Sequence, residues 1–173
     1  MNQAIVWVAA GVLVAGCTAM SPAPAGPAAM TTLAPTQGNT AKGTVSFAAK
    51  GNKIVVVAKV SGLKPGSHGF HIHEKGDCSA PDAMSAGGHF NPTGKPHAHP
   101  STTERHAGDM PMLVADASGN ASLTTELDVI TIGGGATDIV GKSVIVHTDP
   151  DDFKTQPTGN AGARMACGVI QRS

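Results

Sequence analysis

The sequence predicts an all-β protein, a β-sandwich or Greek-key barrel, on three observations. Short β-rich runs recur from residue 44 to residue 171. Turn residues such as Gly51-Asn52 and Ser118-Gly119-Asn120 separate them. No stretch sustains an apolar 3.6-residue period over three helical turns. Residues 44–48 and 53–60 flank Gly51-Asn52 as a hairpin, and further strands are expected over 68–73, 112–116, 121–129, 143–148 and 164–171. Seven or eight short strands with Gly-rich joints suit two packed sheets or a barrel. With four Phe, one Trp and no Tyr, the core falls to Val, Ile, Leu and Ala. Residues 74–108 and 149–163 fit no strand. A loop of roughly 35 residues inside a compact domain is uncommon and usually functional.

The chain of 173 residues has room for one ordinary domain and an appendage. Lys plus Arg and Asp plus Glu balance at 12 each, which excludes a generic polyanion binder, so no nucleic-acid partner is expected. Residues 4–14 form an apolar run of eleven. That is too short for a membrane span of ~20 residues and has the length of a signal-peptide core. The small residues of Val14-Ala15-Gly16-Cys17 resemble a bacterial lipoprotein cleavage box, in which Cys17 is lipidated. Met1-Asn2-Gln3 departs from that pattern by holding no Lys or Arg. An ordinary secretory signal with a coincidental Cys is the alternative, and both export the protein to the periplasm or cell envelope. Ten of residues 18–37 are Ala or Pro, which reads as an extended tether off a membrane. The expected division is a signal over 1–17, a tether over 18–39 and a folded domain over 40–173.

With Cys17 assigned to the leader, Cys78 and Cys167 remain. An even pair in an oxidising compartment reads as a disulfide tying the long loop to the last strand. Two free thiols or two metal ligands are the other readings.

Eight His stand out in a chain only 14% charged. His71 and His73, at i and i+2, share one face of a strand, with Phe70 and Ile72 on the other. His68 falls on the Phe70 side and reads as a buried structural His. His89 follows Gly87-Gly88, His97, His106 and Asp109 come within the next twenty residues, and His147 ends the apolar strand Val144-Ile145-Val146. Any one of these alone is an ordinary surface or core His. Six imidazoles and a carboxylate at strand ends and bends are a metal constellation, and a donor set without thiolate suits Zn²⁺ and Cu²⁺. Met110 and Met112 read as packing rather than as soft copper ligands.

Four motifs occur in order: Gly69-Phe70-His71-Ile72-His73, Gly87-Gly88-His89-Phe90-Asn91-Pro92, Arg105-His106-Ala107-Gly108-Asp109, and the run from Gly159 through Arg164 and Cys167 to Ile170. Together they resemble the copper–zinc superoxide dismutases over residues 40–171, nearly the whole expected domain. The resemblance implies an immunoglobulin-like Greek-key fold of about eight antiparallel strands, with one copper and one zinc per subunit. It gives copper to His71, His73, His89 and His147, and zinc to His89, His97, His106 and Asp109, with His89 bridging. Arg164 matches an arginine beside the copper, Cys78–Cys167 a disulfide, and Asp151 a carboxylate that links a copper His to a zinc His. His99 competes with His97, and spacings of eight from His89 and nine to His106 favour His97.

The implied reaction is dismutation of superoxide to dioxygen and hydrogen peroxide at a redox-cycling copper, in defence of the envelope against external superoxide. His89 serves in it as a proton carrier and Arg164 as a cation for the anion. The loop from His147 to Arg164 is shorter than in eukaryotic members, and Lys154 is a weak candidate for anion guidance. A metal buffer or copper-delivery module on the same sandwich is the competing class, and a zinc hydrolase a third. Retention of every copper ligand and of Arg164 favours catalysis. Monomer and homodimer are both left open.

Overall fold

The computed structural model describes Met1 and residues 28–173. The expected signal segment beyond Met1, Cys17 and the first part of the expected tether lie outside the described residues. The strands are β1 (Ala28–Pro35), β2 (Lys42–Lys50), β3 (Lys53–Ser61), β4 (Gly66–His68), β5 (Phe70–His73), β6 (Leu113–Ala115), β7 (Ala121–Leu127), β8 (Ser143–His147), β9 (Arg164–Val169) and β10 (Gln171–Arg172). One 3₁₀ turn, Met84–Ala86, lies in the loop after β5.

All the strand pairs are antiparallel, in the order β4-β6-β7-β3-β2-β1-β9-β8-β5, with β10 added to β1. The two ends of that path, β4 and β5, are separated in sequence by Gly69 alone. The sheet therefore curls into a nearly closed barrel, and the long connections between non-consecutive neighbours are those of a Greek key. The β2–β3 hairpin turns at Gly51-Asn52, with Lys50 opposite Lys53. Val45 and Phe47 of β2 and Ile54, Val56, Ala58 and Val60 of β3 alternate inward, the two-residue period of a half-buried sheet.

The tether expectation does not hold for residues 28–39. Residues 28–35 form β1, which bridges β2 and β9: Leu33 lies opposite Gly43, and Ala34 opposite Cys167. Ala29, Thr31 and Leu33 are buried, and Met30 and Thr32 are exposed. An Ala- and Pro-rich composition hid an ordinary strand alternation. Residues 36–39 are fixed as well: the Thr36 N–H donates to the Met165 carbonyl at 3.0 Å, and the Gln37 N–H to the Pro81 carbonyl at 2.8 Å.

The segment β5-β8-β9 carries the site because it is covered on both faces. Phe70, Ile72, Val144, Val146 and Ala166 point into the barrel core. Ile145 and Cys167 point outward and pack with Ala83, Ala86 and Cys78 of the loop after β5. The register of β8 on β9 shifts between Val146 and His147, which sets His147 opposite Arg164. Such irregularities re-aim side chains at a strand end.

Candidate metal centre

On β5, alternation sends Phe70 and Ile72 into the core and leaves His71 and His73 on the outer face, where the long loop buries them completely. β8 pairs with one edge of β5. The loop occupies the other edge. The Ile72 N–H donates to the Gly108 carbonyl at 2.9 Å, and the Phe90 N–H to the Ile72 carbonyl at 2.8 Å. Asp109 thereby lies beside His71 and His89 beside His73. Gly108 is required by this close approach, since a Cβ there would run into the Ile72 carbonyl oxygen.

Two groups of four buried residues result, each with its donor atoms within 4.8 Å of one another: His71, His73, His89 and His147, and His89, His97, His106 and Asp109. His89 belongs to both. Its Nδ1 lies 3.1 Å from Asp109 Oδ1 and 3.4 Å from His106 Nδ1. His97 Nδ1 lies 2.9 Å from the same Asp109 oxygen. His99 stays outside, exposed, against Ser101 and the Phe153 ring.

The first group has its orientation fixed from behind. His71 Nε2–H donates to Asp151 Oδ2 at 2.6 Å, His73 Nδ1–H to the Gly87 carbonyl at 2.9 Å, and His147 Nδ1–H to the Gly162 carbonyl at 3.2 Å. A carbonyl or carboxylate oxygen only accepts, so each of these rings presents its other nitrogen as a lone pair. His73 Nε2 and His147 Nε2 face each other at 3.4 Å. His71 Nδ1 and His89 Nε2 are buried with no hydrogen-bond partner. Buried polar atoms of this kind are costly unless something satisfies them. Four imidazole lone pairs converging on one point fit a cation, and the all-nitrogen set fits copper. The second group, three imidazoles and one carboxylate without thiolate, fits zinc.

Asp151 joins the two groups, since its Oδ1 lies 2.9 Å from His97 Nε2 while its Oδ2 accepts from His71. The Phe153 N–H also donates to Oδ1, at 2.7 Å. Burial alone would raise the Asp151 and Asp109 pKa values, but their histidine contacts hold both well below the usual carboxylate range. Burial, reinforced by His71, lowers His147 to about 3, and burial lowers His89 to about 4. Burial also holds His71 and His73 below their ordinary value. These rings are neutral at physiological pH, the form that binds metal. For His97 burial pulls downward, but Asp109 and Asp151 outweigh it and raise the ring to about 9.

A cavity of about 510 Å³ opens onto the first group, lined by His73, His147, Arg164, Asp82, Met84 and Thr158 among others. Arg164 is half-buried and donates through Nη1 to the Ala83 carbonyl at 2.7 Å and through Nη2 to the Gly87 carbonyl at 2.6 Å. The Gly87 carbonyl thus serves both Arg164 and His73. The Cys78–Cys167 disulfide ties the loop that carries these carbonyls to β9, which carries Arg164. A larger depression of about 960 Å³ runs across β1, β2, β3 and β7 by Leu33, Val60 and Ala121, and no histidine lines it.

His68 is buried, with its ring nitrogens 2.8 Å from the carbonyl oxygens of His147 and Lys64. Met110 is buried in the main core. Lys154 is exposed and does not line the cavity. Sequence reasoning missed Asp82 at the cavity and Gln156 beside His97, because neither falls in a recognisable spacing.

Fold and site together define a β-barrel with two adjacent groups of buried metal donors that share one histidine, His89. The comparisons with known proteins agree. The family model described as copper/zinc superoxide dismutase (SODC) matches residues 41–170. A Brassica juncea protein named Superoxide dismutase [Cu-Zn] 2 is 46% identical over 136 residues, covering 75% of this chain and 88% of that protein. The solved structure titled as that of the clock protein EA4 is similar at a TM-score of 0.76 with 38% identity, covering 88% of this chain and 99% of that one. The chain belongs to the copper/zinc superoxide dismutase family. It is a superoxide dismutase, with copper and zinc as cofactors and superoxide as substrate.

The shifted histidines set a pH dependence for the metal-free, disulfide-intact protein. His147 and His89 bind their protons less readily folded than unfolded, so stability falls as pH drops from 6.5 toward about 4. His97 contributes stability that is fully present below 6.5 and is lost as pH rises through about 9. The thermal midpoint, followed by circular dichroism, should peak near pH 6.5 and fall on both sides. A midpoint that is level from about pH 4.5 to 6.5 contradicts the burial of neutral rings.

Proposed function

We propose that His71, His73, His89 and His147 hold the copper and that His89, His97, His106 and Asp109 hold the zinc. The observation that carries this reading is the two-sided placement of His89. Its Nδ1 sits among Asp109 and His106, and its Nε2 is buried and unpartnered. Copper, cycling between its +2 and +1 states, supplies the one-electron step in each direction, while zinc is redox-inert.

The chain's own residues do the rest. Arg164 supplies a permanent cation in the cavity and draws the superoxide anion toward His73 and His147. Its two carbonyl contacts hold the guanidinium in place. Asp151 and the Gly87 and Gly162 carbonyls aim three rings inward. His89 Nε2 is the atom at which a proton is taken up and passed to the departing peroxide. Asp109, on the Nδ1 side, keeps the ring oriented during that exchange.

The same proposal places the enzyme outside the cytoplasm, anchored through a lipid on Cys17, where it removes superoxide that reaches the envelope. The apolar run before Cys17 and a disulfide suited to an oxidising compartment support it.

Four experiments test these assignments. His147→Ala should abolish dismutation while the disulfide-bonded barrel still folds, and Asp109→Ala should weaken zinc by more than the roughly 100-fold seen for outer partners while largely sparing copper. Equal loss of both metals from Asp109→Ala, measured by metal analysis, contradicts the division. The second-order rate should fall with rising salt, and Arg164→Glu should cost roughly tenfold or more and exceed Arg164→Gln, with copper content unchanged. Equal damage from Glu and Gln would make Arg164 a brace rather than a guide. Finally, Cys17→Ser should leave the protein unprocessed or free of the membrane fraction. Wild-type protein found wholly soluble after fractionation refutes the anchor.

A further inference from the structure

The four members of the His89, His97, His106 and Asp109 group differ in how their backbones are held. His89 and Asp109 are bridged to β5. The His106 N–H donates to Asp109 Oδ2 at 3.0 Å. His97 has no bridge to β5, for it lies in irregular chain between Pro96 and Ala98, and Asp109 Oδ2 reaches only the next residue's N–H, that of Ala98, at 3.1 Å. Its main-chain groups are met by one side chain, 59 residues further along. The His97 N–H donates to Gln156 Oε1 at 2.8 Å, and Gln156 Nε2 donates back to the His97 carbonyl at 2.7 Å. A carboxamide that accepts from the N–H and donates to the C=O of one residue reproduces what a neighbouring strand would offer.

We propose that Gln156 is a positioning residue for zinc, a latch that fixes the His97 backbone. This rests on the reading that zinc occupies this group. Asp109 and Asp151 orient the His97 ring from its two nitrogens, and Gln156 sets where that ring begins. Gln156 also lies in the loop that carries Asp151 and Thr158 and leads into Arg164 of β9, so the latch ties the zinc ligand to the wall of the substrate cavity. Outer partners of metal ligands commonly govern affinity in this way.

The test uses the holoenzyme with both metals bound. Gln156 is exposed, so Gln156→Met, of similar length but without either hydrogen bond, should fold. Gln156→Glu keeps the acceptor and loses the donor. Zinc release to a chelator should quicken by roughly tenfold in Gln156→Met and by less in Gln156→Glu, with copper retained in both. The metal-free variants should melt with metal-free wild type, because the latch acts on metal binding rather than on the barrel. Unchanged zinc release from Gln156→Met, beside rapid release from His97→Ala, overturns the latch and leaves the zinc assignment standing. An equal fall in the melting points of the metal-free and holo forms makes Gln156 merely structural and also overturns it. If His97→Ala itself keeps its zinc, the zinc assignment fails and the latch fails with it.

Discussion

The alternation of β5 is the constraint on which the rest depends. Four consecutive buried residues face two different interiors: Phe70 and Ile72 the hydrocarbon core, His71 and His73 a polar chamber. The backbone between them is held on both edges, by β8 and by the loop backbone at Phe90 and Gly108. A one-residue slip would put two imidazoles into the core and two hydrocarbon side chains among the donors. The register with β8, in which His71 lies opposite Ile145 and Phe70 opposite Val146, is therefore as much a part of the metal site as its ligands. Rigid elements hold a constellation more closely than loops do, and here His89 and Asp109 of the loop are hung on the edge of a strand.

The chamber is expensive to close. Six buried imidazoles, two carboxylates deprived of water and two unpartnered ring nitrogens are a poor core by themselves. Asp109 and Asp151 offset part of that cost by accepting from several rings at once. The remainder is offset when cations take up the lone pairs, so metal binding and stability are linked. Neutral rings on one side and a carboxylate-paired His97 on the other also give the two groups different electrostatic characters. An all-imidazole group stands next to one that includes a carboxylate.

Much of the site was legible because its chemistry is periodic or local. His71 and His73 at i and i+2, His89 after two glycines and His147 at the end of an apolar strand all announce their geometry. His97 and His99, two residues apart in irregular chain, could be separated only by spacing, and the structure buries the first and exposes the second. Ala and Pro dominate the surroundings of β1 and point to a tether, although Ala29, Thr31 and Leu33 keep a strand's alternation. The 68–73 run was read as one strand and is two, divided at Gly69 where the sheet path ends and begins. Asp82 and Gln156 left no trace in the sequence. Gln156 meets His97 across 59 residues and Asp82 lines the cavity beside Arg164, placements that only the folded path produces.

His89 is proposed to serve two different metals through its two nitrogens. Anomalous diffraction from crystals of the holoenzyme, recorded at the copper and zinc absorption edges, tests it most directly. A copper peak is expected among His71 Nδ1, His73 Nε2, His147 Nε2 and His89 Nε2, with a separate zinc peak on the Asp109 side beside His89 Nδ1. A single metal, or two metals with His89 bound to only one of them, would contradict it.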